Sequence, residues 1–514
     1  MAQTTPTEQQ GQSFAESALR MGGKSEDEAR RMGAVDKAAV DKAFAELPKY
    51  DCGNARATLN TIDDAVVQSY GDEAARADLE TRLLAVLGAA DSTRAAKQFC
   101  CRKLAMIGTV KAVPALEPLL ADMDLSHMAR YALERIPGQE ASKALGGAAG
   151  KLSGQLKIGM INSLGARRDA ASTPMLIGLL KDSDPQVASA AASALGRIGA
   201  KDAAGPLMEY VAAAPTATQG AAYDAALELA TSLIGTDKAA AGAIFEKLYA
   251  ADRPIRVRCA ALRGLATVRP AETTPEILKA LASDNPLFRG LAVSLIKDIP
   301  GAEATAQFAA QLTKLPPDGQ AALIDALAAR QDPAARQAVL EAAKSTNDKV
   351  AIAAVAAMGS VGNAQDVDLL VAAASAGGDK GAAARASLQR LKGKDVDSAL
   401  VAALDKADPA GKVQIIGALA DRAAAEAAPA VEKLVASDNA EVRQAAIAAI
   451  GVLGTEKQIP ALVAALRSAK DAAGIEAADK ALAAICTRVK AKAVDDLLAG
   501  LAQDVLLVDL QVRH

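Results

Sequence analysis

The residues best placed for chemistry fall in two short stretches. The first holds His127, Arg130, Tyr131 and Glu134. Residues three and four apart share a helix face, so these four can form one polar patch, with Arg130 and Glu134 as an i,i+4 pair. Asn162 and the turn Arg167-Arg168-Asp169, one unit further along, can extend it. The second stretch holds Arg253, Arg256, Arg258, Arg263 and Arg269 with no acid between them. On a helix, Arg253, Arg256 and Arg263 lie within about 80° of one another. That geometry suits a phosphate or an acidic peptide. Beside each reading stands a plainer one, a solvated helix face, which most charge runs are.

Catalysis finds little to work with. The only histidines are His127 and His514, too few for a zinc or di-iron site built from imidazoles. There is no GxSxG, no P-loop, no Cys/His pairing and no cofactor-binding motif, so no cofactor is expected. Cys52, Cys100, Cys101, Cys259 and Cys486 are odd in number and form no CxxC. They read as small buried hydrophobes rather than a disulfide or metal framework. Lys plus Arg is 58 against 61 Asp plus Glu, a formal net charge of -3. With no cationic surplus, six Tyr, six Phe and no Trp, the chain lacks what a nucleic-acid platform needs. All the aromatics lie between Phe14 and Phe308. Binding hot spots favour Tyr and Arg, which places the expected contact surface in the first three-fifths of the chain.

The elements that hold these residues are announced by punctuation. Pro114, Pro174, Pro206, Pro275, Pro429 and Pro460 recur in one context, each followed by apolar residues. Their separations are multiples of a unit of roughly 31 to 35 residues, the signature of a repeat array. Proline is tolerated in a first helical turn, so each marks the start of a first helix. Gly108, Gly165, Gly199, Gly235, Gly362 and Gly454 follow Ile, Leu or Val where a helical pattern ends, and are expected to stop the second helix in a left-handed conformation. Ile136-Pro137-Gly138 and Ile299-Pro300-Gly301 replace that stop in two units. One full unit predicts a first helix over 174–181, a turn at 182–185 and a second helix over 186–198. Val187, Ala190, Ala191, Ala194, Leu195 and Ile198 form its apolar stripe. Such a pair cannot bury its faces alone; stacking buries them and makes a solenoid.

The run Leu179-Leu180-Lys181-Asp182-Ser183-Asp184-Pro185-Gln186-Val187, with Ala194-Leu195-Gly196-Arg197-Ile198-Gly199, resembles the HEAT repeat. Ser437-Asp438 with Val442-Arg443 and Gly451-Val452-Leu453-Gly454 is similar. The short period resembles bacterial HEAT-like repeats, including those of phycobilisome-lyase-type proteins. The resemblance implies an all-α, right-handed α-solenoid of about fourteen helical hairpins, covering about residues 36 to 510. It implies a non-enzymatic scaffold that holds a protein or peptide partner in the groove lined by second helices. An accessory or lyase-like subunit of an enzyme complex, for instance a carbohydrate-processing one, is the alternative; phosphate or nucleic-acid binding is a third. HEAT-like deoxyhypusine hydroxylases carry several His-Glu pairs, and none occurs here. The arginine that such units often place after the second-helix valine is present as Arg258, Arg289 and Arg443 but is Ala188 and Ala351 elsewhere, which implies a broken Asp–Arg ladder.

The ends read differently. Residues 1–35 are polar, an expected disordered arm with one short helix capped by Ser25 and Glu28. After a last helix over 494–501 comes the apolar segment Val505–Leu510 without a polar cap. It folds back on the last repeat, marks a truncated array, or serves assembly. No apolar stretch reaches membrane-spanning length. The first twelve residues lack the features of a signal peptide. A cytoplasmic protein is expected if Met1 is the native start, an exported one if a leader was removed before Ala2.

Overall fold

The structure is a computed structural model that describes residues 36–469 and 471–488. The expected arm, its short helix and the expected last helix over 494–501 lie outside the described residues. Within them are 28 α-helices, joined by short turns and 3-10 segments, and no strand. The helices pair off as fourteen hairpins, here given a first helix A and a second helix B. The fold is an all-α solenoid. It divides into two compact units: hairpins one to seven lie in residues 1–268, and hairpins eight to fourteen in residues 269–514.

The fifth hairpin shows why these residues fold this way. Its A helix is Thr173–Leu179, with Pro174 in the first turn, where no N–H is needed. Its B helix is Pro185–Ile198. The Asp184 carboxylate caps it by accepting from the Gln186 N–H at 2.8 Å. Val187, Ala191, Ala194 and Leu195 are buried along one stripe. Gly199, at φ 74°, ends the helix in the left-handed region. Each of the other marked prolines likewise lies in the first turn of an A helix.

The expectation for the other glycines needs correction. Gly108, Gly362 and Gly454 have φ near −67°, −78° and −72°, outside the left-handed region; a Cβ there would press on the carbonyl oxygens of Leu104, Met358 and Ile450 in their own helices. Gly165 sits inside the helix Gly154–Arg167. The reason for glycine there is space. A Cβ on Gly165 would stand 2.8 Å from Ala194 Cα, and one on Gly196 2.7 Å from the Ala225 carbonyl oxygen. In the second unit, Gly359 meets Ser387 Cα and Gly451 meets Ala481 Cα, each at 3.0 Å from the missing Cβ. Every one of these contacts joins the B helix of one hairpin to the B helix of the next. At these four places the B helices are packed backbone against backbone, which only Gly, Ala and Ser permit. The alanine-rich composition is the sequence form of that close approach, and Leu, Ile, Val and Phe fill the space between A and B helices.

A second device joins successive hairpins. Arg167 ends its B helix and reaches back to the preceding one. Its Nη1 donates to the carbonyls of Leu133 and Ile136, its Nη2 to Gly138 O at 2.7 Å, and its Nε to Ser142 Oγ at 3.0 Å. Arg330 repeats the arrangement on Ile296 O, Ile299 O, Gly301 O and Thr305 Oγ1. Arg422 repeats it on Leu388 O, Leu391 O and the Asp397 carboxylate. The last carbonyls of a helix have no partner within it; in these three places a guanidinium fork from the next hairpin supplies one. The residues that follow, Arg168, Gln331 and Ala423, share a left-handed backbone with φ between 51° and 54°.

Arg258, Arg289 and Arg443 share one kind of contact. Each donates to a carbonyl of its own A-to-B turn: Tyr249 O at 3.3 Å, Ser283 O at 2.7 Å and Ser437 O at 2.6 Å.

Candidate functional site

The first stretch lies on the B helix Ser126–Leu133 of hairpin three and the residues just after it. Arg130 and Glu134 do not close on each other directly. Ser163, on the next B helix, stands between them. It accepts from Arg130 Nη1 at 3.3 Å and donates to Glu134 Oε1 at 2.7 Å. Arg130 Nη1 also donates to Gly159 O at 3.2 Å, and its Nη2 lies 3.5 Å from His127 Nδ1. Burial lowers the Arg130 pKa, partly opposed by Glu134, and the buried Nε meets no partner. An arginine stays charged through such a shift, so the patch holds a half-buried cation fixed across two helices. The Tyr131 ring lies 3.7 Å beneath the Arg135 guanidinium, whose Nη1 also donates to Tyr131 O. Asn162 is half-buried beside Ser163, and Arg168 is exposed in the turn beyond. Arg167 faces away, its guanidinium taken up by the carbonyls of hairpin three.

The second stretch is not one helical face. The B helix of hairpin seven is Ile255–Val268, so Arg253 precedes it. Pro254 stands just before the helix, its carbonyl accepting from the N–H groups of Val257 and Arg258, and leaves Arg253 in the turn. There Arg253 is half-buried, 5.7 Å from the Tyr223 ring centroid, with Nη1 donating to Tyr223 Oη at 3.4 Å. Asp252 stands 3.6 Å from it. Arg256 is on the helix and exposed, 3.6 Å from Asp224 of the preceding B helix. Arg263 is exposed and meets no carboxylate among the described residues. The run has no acid in sequence, yet acids from its turn and from a neighbouring helix oppose it in space.

The aromatic clue also changes. Phe99, Phe245, Phe288, Phe308 and Tyr223 are buried, and Tyr70 is the one aromatic exposed by nearly half of its surface among the described residues. These rings fill the core, several beneath a cation, and do not mark a contact surface.

The two stretches share a register. Tyr131, Asn162, Ser193 and Asp224 follow one another at 31-residue steps on successive B helices, as do Ala166, Arg197 and Glu228, with Arg135 at the same step in the turn after the first of them. The Gly165–Ala194 and Gly196–Ala225 contacts fix that register. Arg263 continues the face on hairpin seven. The middle of this face is small or polar: Asn162, Ser189, Ser193, Gly220 and Ala221.

A cleft of about 190 Å³ lies between the turn 282–284 and residues 311–316, below the usual range of ligand pockets. No group of three or more His, Cys, Asp or Glu among the described residues can hold a metal ion. Cys100 and Cys101 are buried; burial pushes the Cys101 thiol up to about 12 and the Cys100 thiol further. No described helix is long and apolar enough to cross a membrane.

A family model for HEAT repeats matches residues 142–226, 305–389 and 398–483. The first two segments begin at Ser142 and Thr305, the residues that receive the Nε of Arg167 and Arg330. Comparison with curated proteins finds no match. Among solved structures, human deoxyhypusine hydroxylase in complex with glycerol is 22% identical, with 49% of this chain and 96% of that chain covered and a TM-score of 0.23. The complex of CpcE and CpcF of phycocyanin lyase from Nostoc sp. PCC7120 is 23% identical, with 48% and 94% covered and a TM-score of 0.25. Importin beta in an ammonium sulfate condition is 12% identical, with 93% and 75% covered and a TM-score of 0.41.

Proposed function

Because the chain is a HEAT-repeat protein, we propose that it is a non-enzymatic scaffold whose first unit binds a protein or peptide partner along the exposed face of its B helices. The observation that carries this reading is the row Tyr131, Asn162, Ser193, Asp224, together with Arg263 beyond it. Its middle is small enough for another backbone to lie close. Its ends carry fixed polar groups, Arg130 with Glu134 and Ser163 on one side and Arg256 with Asp224 on the other. Small residues at the floor with anchors at the ends suit an extended chain better than a compact ligand.

Ser193→Trp tests the reading. Ser193 is half-buried, and its one recorded bond is a local one, Oγ donating to Ser189 O at 3.1 Å. A Trp there should fill the floor while the hairpins stay stacked, as circular dichroism would report. The wild-type chain is expected to capture a stoichiometric partner from native lysate at moderate salt, and Ser193→Trp to lose it. Equal capture by both chains, or a co-purifying small molecule that is turned over, would count against the proposal.

A further inference from the structure

We infer that the partner segment is acidic, and that Arg102, Arg197 and Arg263 on the B face of the first unit hold it; this rests on the reading of that face as the binding surface.

The chain as a whole is slightly acidic, with a formal charge of -3. Its B helices in hairpins two to seven are not. Arg94–Ile107 contributes four basic residues, Ser126–Leu133 one, Gly154–Arg167 two, Pro185–Ile198 one and Ile255–Val268 three. The only acids on these helices are Asp224 and Glu228, both on Thr216–Leu233. Several of the cations are committed internally. Lys103 pairs with Asp63 at 2.5 Å, Lys157 with Asp182 at 2.6 Å, and Arg167 is held by carbonyls. Arg102, Arg197 and Arg263 are exposed and meet no carboxylate among the described residues. Three guanidinium groups with unused forks, on hairpins two, five and seven, ask for carboxylates from outside.

The spacing suits a polypeptide. Packed helices lie about 8–10 Å apart, so Arg197 and Arg263, two B helices apart, are separated by roughly 16–20 Å. An extended chain covers that in about five or six residues at ~3.3 Å each. The two acids of the face, Asp224 and Glu228, lie between them. A nucleic-acid backbone, charged at every phosphate, would have to cross both carboxylates. A polypeptide can place neutral or basic residues there and acids on either side. The face also lacks a free ring for base stacking: Tyr131 is covered by Arg135, and Tyr223 is buried against Arg253.

The test is fluorescence anisotropy with the full chain and three labelled probes: a peptide of Glu and Ala, the same peptide with Lys for Glu, and a single-stranded oligothymidylate. The Glu peptide is expected to bind and the Lys peptide not. The combined Arg102→Glu, Arg197→Glu and Arg263→Glu chain should bind the Glu peptide about tenfold more weakly or worse. Arg197→Gln with Arg263→Gln, a gentler pair, should weaken it in the same direction if charge reversal disturbs folding. Equal binding of both peptides, or no loss in either variant, would overturn the inference. Tighter binding of the oligonucleotide than of the Glu peptide, lost in the variants, would overturn it too. A lysate partner lost by Ser193→Trp but kept by both charge variants would leave the face as the binding surface and remove its acidic partner.

Discussion

At the scale of single residues, arginine does two jobs that the sequence does not separate. Arg167, Arg330 and Arg422 each close the end of a neighbouring helix, while Arg102, Arg197 and Arg263 point to solvent. Arg167→Ala leaves the carbonyls of Leu133 and Ile136 without a donor and should cost roughly 1–3 kcal/mol. Hydrogen exchange should rise at residues 133–142 in particular. Arg167→Lys should restore only part of this, because one ammonium cannot fork to three carbonyls and a hydroxyl. The Asp182 carboxylate is held below its ordinary pKa, first by the Lys157 hydrogen bond and then by the Asp184 N–H. A depressed carboxylate stabilises the fold above the ordinary value of about 3.9 and loses that contribution as pH falls through its folded value. Asp182→Asn should therefore flatten the stability profile below about pH 4 and leave the neutral region's pH slope unchanged. Among the thiols, Cys52 is exposed whereas Cys100 and Cys101 are buried with raised pKa values. Iodoacetamide needs the thiolate, so mass spectrometry should find Cys52 modified first and the adjacent pair only on unfolding. That Cys100 and Cys101 are core residues was legible from their place in an apolar helical pattern. The job of Arg167 was not. Its partners lie 25 to 34 residues away, and only stacking brings them near.

At the scale of elements, the hairpin boundaries follow from local signals. Pro174 and Asp184–Pro185 fix the helix starts of hairpin five, and Gly199 fixes its end, through backbone geometry that needs no neighbour. Gly165, Gly196, Gly359 and Gly451, inside B helices, obey a different cause, the approach of the next B helix, and a single unit's sequence does not contain that helix. The distinction is testable. Gly196→Val would push a branched side chain into the Ala225 backbone and should destabilise by about 1–3 kcal/mol. Gly178 lies exposed on the A helix Thr173–Leu179 with nothing near a new Cβ. Gly178→Ala should therefore stabilise by about 0.4–1 kcal/mol. Denaturant midpoints decide both. Because each repeat touches mainly its neighbours, the exchange that Gly196→Val accelerates should centre on hairpins five and six.

At the scale of the whole molecule, periodic sequence gave away the architecture because the same solution is written fourteen times. The proposed binding face was legible only in part. His127, Arg130, Tyr131 and Asn162 do gather on adjoining B helices, since helical spacing places them there. Arg253 fell away from its expected face because Pro254 stands between it and the helix, and Asp224, 32 residues before Arg256, cannot be seen as its neighbour without the stack. The central claim is that the B layer of the first unit is the working surface and the A layer is its support. The most direct measurement is site-specific photo-crosslinking in native lysate, with a benzoylphenylalanine placed at Asn162 on the B face or at Gly178 on the A face of the full chain. The account predicts one protein, of acidic sequence where it is linked, captured from Asn162 and not from Gly178. Capture from Gly178 alone, or the same set of proteins from both positions, would contradict it.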